Sequence, residues 1–245
     1  MKFNLGKPEN YCSQRNNEYK KTIKGDYGTT KMEASCMCNV TVMSEALEIG
    51  NWIQPKGNYK QNEDNLCDFM ITESLKPTSY YATHFPAMWK EWIEGSPDAY
   101  WPNEVHKVLE HETNEWLGCS HADTFIEGCA IVDIIKQLWY TRMPIPISVK
   151  FGNLNHIVLL TGFETSLSEK EVADLIANRK TVKIDKWIYD DPYGAFNWTS
   201  KTYPATRGTG DDQIMTNAQF IANVKPLGAT NAKYAHILHR PAAVV

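Results

Sequence analysis

A chain of 245 residues with 42% hydrophobic side chains can bury a core as one large domain or two packed halves, which excludes wholesale disorder. A formal charge of −4, a pI of about 6.0 and no run of Lys or Arg argue against nucleic acid as a partner. The longest apolar stretch falls short of the roughly 20 residues that span a bilayer, and Met1–Asn10 lacks the apolar core of a signal peptide, so a cytoplasmic chain without membrane insertion is expected. With no export signal, the cysteines Cys12, Cys36, Cys38, Cys67, Cys119 and Cys129 are expected as free thiols rather than disulfides.

Residues 1–36 are polar and read as loops and turns leading to a first helix. Over 39–49, Val42, Met43, Ala46, Leu47 and Ile49 recur at helical spacing, and Gly50-Asn51 ends the run. After a polar loop at 52–62, a second helix is predicted from Asp64 to Leu75 through Leu66, Phe69 and Met70, with Pro77 following. Residues 79–103, carrying Pro86, Pro97 and Pro102 among aromatics such as Tyr80, Tyr81, Trp89 and Trp92, read as irregular. A short helix is predicted over 104–116 and another over about 123–141, with Ile131, Ile134, Ile135, Leu138 and Trp139 facing inward.

The texture then changes to strands, at 144–150 and 155–163. A helical insertion over 166–179 opens with a capping box at Ser168 and Glu171. Residues 184–190 read as a strand, 194–218 as a long loop rich in Gly, Thr and Asp, and Tyr234–His239 as a last strand. Helices first and strands later predict a single α+β domain over 1–245. A helical lobe of about 1–142 would pack on an antiparallel sheet of about 143–245, with a cleft between the two.

Cys38 stands immediately before the 39–49 helix, where unpaired N–H groups and the helix dipole favour thiolate over thiol. The plainer reading is a small buried hydrophobe near a helix start. A catalytic thiol needs a histidine beside it, distant in sequence. His156 opens an otherwise apolar strand and needs a polar partner there; a satisfied core histidine is the alternative. If strand 184–190 pairs antiparallel with 155–163, its end lies beside His156, and Asp190 or Asp191 reaches the imidazole. Such a carboxylate fixes the tautomer and stabilises the imidazolium. Otherwise Asp191 is a turn residue before Pro192.

Tyr11-Cys-Ser-Gln-Arg-Asn-Asn, Cys38-Asn-Val-Thr, Asn155-His-Ile-Val and Asp191-Pro-Tyr-Gly follow one another in an order that resembles the double-glycine-leader peptidase-like branch of the papain-like cysteine peptidases, found in bacteria and phages. Many members of that branch have Cys-Gly-Pro-Thr where this chain has Cys-Asn-Val-Thr, and the Asn-Val form is similar to phage-type members. The resemblance implies a papain-like fold with the nucleophile helix packed on the sheet. It implies Cys38 as nucleophile, His156 as base, Asp191 as its orienting acid, and Gln14 sharing the oxyanion with the Cys38 backbone N–H. A side-chain amide suits that last task, donating a hydrogen bond where charge develops.

The expected substrate is a peptide or the peptide part of peptidoglycan, as for a phage lysin, which would need a separate route to the wall. A protease that processes a protein or leader peptide, and a papain-like scaffold used for binding, are the alternatives. No cofactor or metal is expected. His106, His111, Cys119, His121 and Cys129 lack a recognised zinc spacing, and the Asp211-Asp212 pair alone is a weak calcium signal. His236 and His239 are read as structural, and Cys36 as packing.

Overall fold

A computed structural model describes residues 1–26, 28–32, 36–52, 57–128, 130–206, 208–224 and 234–239. Its centre is β6 (Leu154–Glu164), flanked antiparallel by β5 (Ile145–Phe151) and β7 (Lys186–Asp190). β9 (Tyr234–Leu238) adds to β5, β4 (Asp123–Glu127) to β9, and β8 (Gln213–Thr216) to β7, giving the order β4-β9-β5-β6-β7-β8. A seventh strand, β1 (Lys2–Asn4), pairs with the far end of β6. Gly162 permits that approach, because a Cβ there would lie 2.1 Å from the Phe3 carbonyl oxygen.

Alternation along β6 divides the interior into two cores. Ile157 and Leu159 join the core shared with α1 (Cys38–Ile49), α2 (Asn62–Ser74) and α5 (His106–Leu117). Val158 and Leu160 join the other, with α6 (Ile131–Thr141), α7 (Glu169–Ala177) and α8 (Asn217–Asn223). α1 is wrapped on nearly every side, with Val40, Val42, Met43, Ala46 and Leu47 fully buried. Each such large side chain contributes about 1.5–3 kcal/mol of burial, so tertiary packing rather than amphipathic patterning fixes this helix. Among the described residues no helix is long and apolar enough to cross a membrane.

The architecture is mixed helix and antiparallel sheet, as the α+β expectation states, but its two lobes are interleaved along the chain. β1 and β4, from the first 142 residues, lie in the sheet, and α6 packs on the face opposite α1.

Four segments differ from their sequence reading. Residues 1–36 hold β1 and a hairpin of β2 (Thr22–Gly25) and β3 (Gly28–Lys31) rather than loops alone. Residues 79–103 contain α3 (Tyr80–His84) and α4 (Pro86–Ile93). Pro86 sits in the first turn of α4, where a missing N–H costs nothing, so it starts a helix instead of breaking one. The 123–141 helix is shortened to α6; its first part is β4, whose partner β9 is more than a hundred residues away, and Gly128 turns the chain between them at φ 74°. The 194–218 loop ends in β8 and the start of α8, which Thr216 and Gln219 open with a capping box. The box at Ser168 and Glu171 forms as predicted.

Candidate active site

The start of α1 is held from three sides. Met37 precedes the helix, and Thr41 donates to its carbonyl from both backbone N–H (3.0 Å) and hydroxyl (2.8 Å). Asn17, buried, donates to Thr41 Oγ1 at 3.2 Å. Asn39 donates to the Asn103 carbonyl, and Asn103 Nδ2 donates to the Cys36 carbonyl at 2.7 Å. Cys38 is thus the first residue of a fixed helix terminus, half-buried, with its thiol 3.5 Å from Asn39 Oδ1. The five described cysteines, Cys12, Cys36, Cys38, Cys67 and Cys119, are free thiols.

His156 stands near the start of β6. Because β7 runs antiparallel to β6, with Leu159 opposite Asp190, the residue that follows β7 falls beside the imidazole. Asp191 Oδ1 lies 2.8 Å from His156 Nε2, which leaves Nδ1 for the thiol. Strand alternation separates the two acids that the sequence left open. Asp190 points the other way, accepting from the Asp212 N–H at 2.7 Å and meeting the Glu45 carboxyl.

Asp191 is fully buried and saturated with donors. Its Oδ1 also accepts the Tyr193 N–H at 2.9 Å, and its Oδ2 accepts the Tyr203 hydroxyl at 2.7 Å. Its backbone N–H donates to the Gly210 carbonyl at 2.9 Å, and its carbonyl accepts the Tyr11 hydroxyl at 2.8 Å. Burial works against a charged His156, yet the Asp191 carboxylate and the hydrogen bond shared with Cys38 outweigh it and raise the imidazole to about 10. The raised value favours the imidazolium at neutral pH. Tyr193, Tyr203 and Phe151 surround the ring at 6.2–6.3 Å between centroids.

Gln14 is buried and lines a cavity of about 150 Å³ with Cys38, His156, Tyr193 and Tyr203. The Asp191-Pro192 turn holds its segment there, since the Gln14 N–H donates to the Pro192 carbonyl at 3.0 Å and Tyr11 to Asp191. A second cavity of about 220 Å³ opens on the other side of Cys38 and His156, toward Glu104, His106 and Ser148. All four expected site residues, Gln14, Cys38, His156 and Asp191, therefore meet around one cleft. Sequence reasoning missed Tyr203, Tyr11 and Gly210, which position Asp191 from 12 to 180 residues away. Tyr11 opens the motif that carries Gln14, but its contact to Asp191 is not readable there.

Among the described residues, His106, His111, Cys119 and His121 form no close cluster of possible metal ligands. His106 bonds to His236 at 2.9 Å, and His111 stacks on Tyr80 with centroids 4.2 Å apart. Cys129 lies outside the described residues. The described His, Cys, Asp and Glu atoms that cluster closely enough for a cation are Cys12, Glu48 and Glu63, and Asp190, Asp211 and Asp212. The pair Asp211-Asp212 thus has a third acid beside it, with Asn4 donating to Asp212 at 2.7 Å. His236 is buried and bonded to Asp123 at 2.7 Å, and Cys36 packs against the helical core.

No protein-family model matches the chain, and no curated protein or solved structure matches it either.

Proposed function

We propose that this chain is a cysteine-dependent amide hydrolase of papain-like type acting through Cys38, His156 and Asp191, with peptidoglycan peptide as its substrate in the manner of a phage lysin. The supporting observation is the buried His156–Asp191 pair at 2.8 Å, sharing a cleft with a thiol at a helix N-terminus. The Cys38 thiolate attacks the scissile carbonyl carbon, and the carbonyl electrons move to oxygen. Gln14 and the Cys38 N–H stabilise that oxyanion. The His156 imidazolium gives its proton to the leaving amine as the C–N bond breaks. A water then loses a proton to neutral His156 and attacks the thioester, releasing the acid and restoring the ion pair. Asp191 holds the imidazole and its charge throughout.

Incubation of purified sacculi with wild type and with Cys38→Ala, followed by mass spectrometry, tests both levels of the reading. Wild type should release muropeptides whose masses name the bond, and the variant should release none. Cleavage of protein with intact sacculi would move the substrate to a protein or leader peptide. Full function in Cys38→Ala would sink the hydrolase reading and favour a binding scaffold.

A further inference from the structure

A group of carboxyls that the hydrolytic steps do not use lies behind the end of β7, on the side away from His156. One oxygen each from Asp190, Asp211 and Asp212 lie within 4.8 Å of one another. That is the span across a Ca²⁺ ion with oxygens at about 2.4 Å on either side. The three are held in mutual register, because Asp190 Oδ1 accepts the Asp212 N–H at 2.7 Å.

A small space faces these oxygens. A Cβ on Gly6 would stand 3.1 Å from Asp212 Oδ1, 3.3 Å from Asp190 Oδ2 and 3.3 Å from Asn4 Oδ1. Gly6 has no positive φ, so its backbone does not call for glycine; the missing side chain is what leaves three acceptors from three segments open to one point. The Asn4 amide is oriented by bonds at both ends. Its Nδ2 donates to Asp212 Oδ1 at 2.7 Å, and its Oδ1 accepts the Gly6 N–H at 3.1 Å, with a lone pair to spare.

The chain does not supply what these acids need. Asp211 Oδ1 is shielded from solvent and meets no hydrogen-bond donor. Glu45 reaches the group from α1. It is 0% exposed, its carboxyl meets that of Asp190, and its Oε1 meets no N–H or hydroxyl donor. Its Oε2 has the Cys12 N–H at 3.3 Å. Glu9 adds a further negative charge near Asp211. Among the described residues, no Lys, Arg or His pairs with Glu45, Asp190, Asp211 or Asp212. Carboxylates shielded from water with neither donor nor counter-charge are costly. A proton between Glu45 and Asp190 relieves that pair but brings no positive charge to Asp211 and Asp212.

We propose that Asp190, Asp211 and Asp212, with the side-chain carbonyl of Asn4, bind a Ca²⁺ ion beside Gly6, with Glu45 adding its charge from behind Asp190. The set is all oxygen, which suits a hard cation and not zinc, and water completes the coordination. The ion would join β1, β7 and the segment entering β8. It would also brace Asp191, whose N–H donates to the Gly210 carbonyl at 2.9 Å and whose carbonyl shares the Tyr11 hydroxyl with the Gly210 N–H. The site stands whether or not Cys38 is a nucleophile.

Chelator-stripped protein titrated with Tb³⁺ tests it, since Tyr11 stands close enough to excite the bound ion. The luminescence should saturate at one ion per chain and be displaced by Ca²⁺. Ca²⁺ at about a hundredfold excess over its dissociation constant should raise the melting temperature by about 5–10 °C, against NaCl of equal ionic strength. Asp211→Asn is the decisive variant. Its Oδ1 has no partner to lose, so without Ca²⁺ it should melt no lower than wild type, while the gain from Ca²⁺ should vanish. Gly6→Ala keeps every acid and fills the space, and it should lose the luminescence; where it does not fold, Asp211→Asn alone decides. No saturable luminescence, or an equal Ca²⁺ gain in wild type and Asp211→Asn, overturns the site and leaves an acid cluster relieved by protons alone. A gain that vanishes in Asp211→Asn and survives in folded Gly6→Ala overturns the placement beside Gly6.

Discussion

Replacing Asp191 by Asn removes one charge from the cleft while keeping its shape. The amide must turn its oxygen toward His156, because that position also accepts the Tyr193 N–H at 2.9 Å. The amide nitrogen then meets the Tyr203 hydroxyl, which can rotate to accept. The His156 tautomer is therefore preserved, and the effect is electrostatic. A hydrogen bond to a charged group contributes about 1.5–3 kcal/mol against roughly 0.5–1.5 kcal/mol for a neutral one. The difference of about 1–2 kcal/mol is close to one pKa unit at 1.36 kcal/mol each. Asp191→Asn should thus bring His156 down from about 10 by roughly one unit or more. Two consequences follow for the proposed enzyme. At pH 7 the imidazole stays protonated at either value, so alkylation of Cys38 by iodoacetamide should change little there and should differ most between about pH 8 and 10, where the variant loses its imidazolium first. The alkaline limb of hydrolysis, where the imidazolium acid is lost, should move to lower pH. Rates followed from pH 5 to 10 by mass spectrometry at Cys38 check both. An unchanged alkylation profile in a folded Asp191→Asn variant would refute the idea that this carboxylate holds the imidazolium.

Three further outcomes are expected. Gly210→Ala would place a Cβ 1.8 Å from the Asp191 carbonyl oxygen and 2.8 Å from the Tyr11 hydroxyl. Backbone must shift, so stability should fall by ~1–3 kcal/mol in urea unfolding, with slower Cys38 alkylation; wild-type values in both would contradict the close approach. Tyr203→Phe leaves the buried Asp191 Oδ2 without its 2.7 Å donor and should cost about 1.5–3 kcal/mol by the same assay. The third concerns pH. Burial and the neighbouring Asp190 charge raise Glu45 well above its ordinary value, and burial raises Asp190 from 3.8 to about 6. Raised folded-state values mean that the native chain holds more protons than the unfolded one. Their contribution to stability is fully present below about pH 4 and is lost as pH rises through 6. Glu45→Gln should flatten that decline in melting temperature between pH 4 and 7, and an equally steep decline in the variant would sink the assignment.

What could be read from the sequence is what repeats locally. The capping box at Ser168 and the apolar run after His156 each specify one element through its own residues, and those elements stand. The segments that escaped depend on partners far away. β4 is five residues without a strong pattern until β9 pairs with it, and β1 becomes a strand only where Gly162 admits it to the edge of β6. The site divides in the same way. Cys38 and His156 announce themselves through helix position and an isolated polar residue in an apolar strand. Tyr203 and Gly210 act through long-range contacts around Asp191 and Tyr11, and nothing within a few residues of either marks that role; Tyr11 stands in the motif that carries Gln14, yet its bond to Asp191 is 180 residues long in sequence.

The adjacent acids at the end of β7 show how one strand terminus serves two unlike purposes. Asp191 faces the cleft, among the N–H and O–H donors that suit a carboxylate. Asp190 faces back into α1 and meets Glu45, and two carboxyls in contact away from water do not both ionise. They share a proton, so the contact becomes a hydrogen bond instead of a repulsion. Glu45 lies two turns along the same helix from Cys38, and Asp190 is one peptide from Asp191. That shared proton therefore ties the helix carrying the thiol to the strand carrying the carboxylate, at a point the solvent does not reach. Loss of the proton at high pH would place two buried charges against each other, where the alignment of Cys38 with His156 depends on their staying together. The alkaline weakening expected of the fold and that expected of the cleft thus share a structural origin in this strand end. Glu45→Gln separates them: it should relieve the first and leave the second, which belongs to His156.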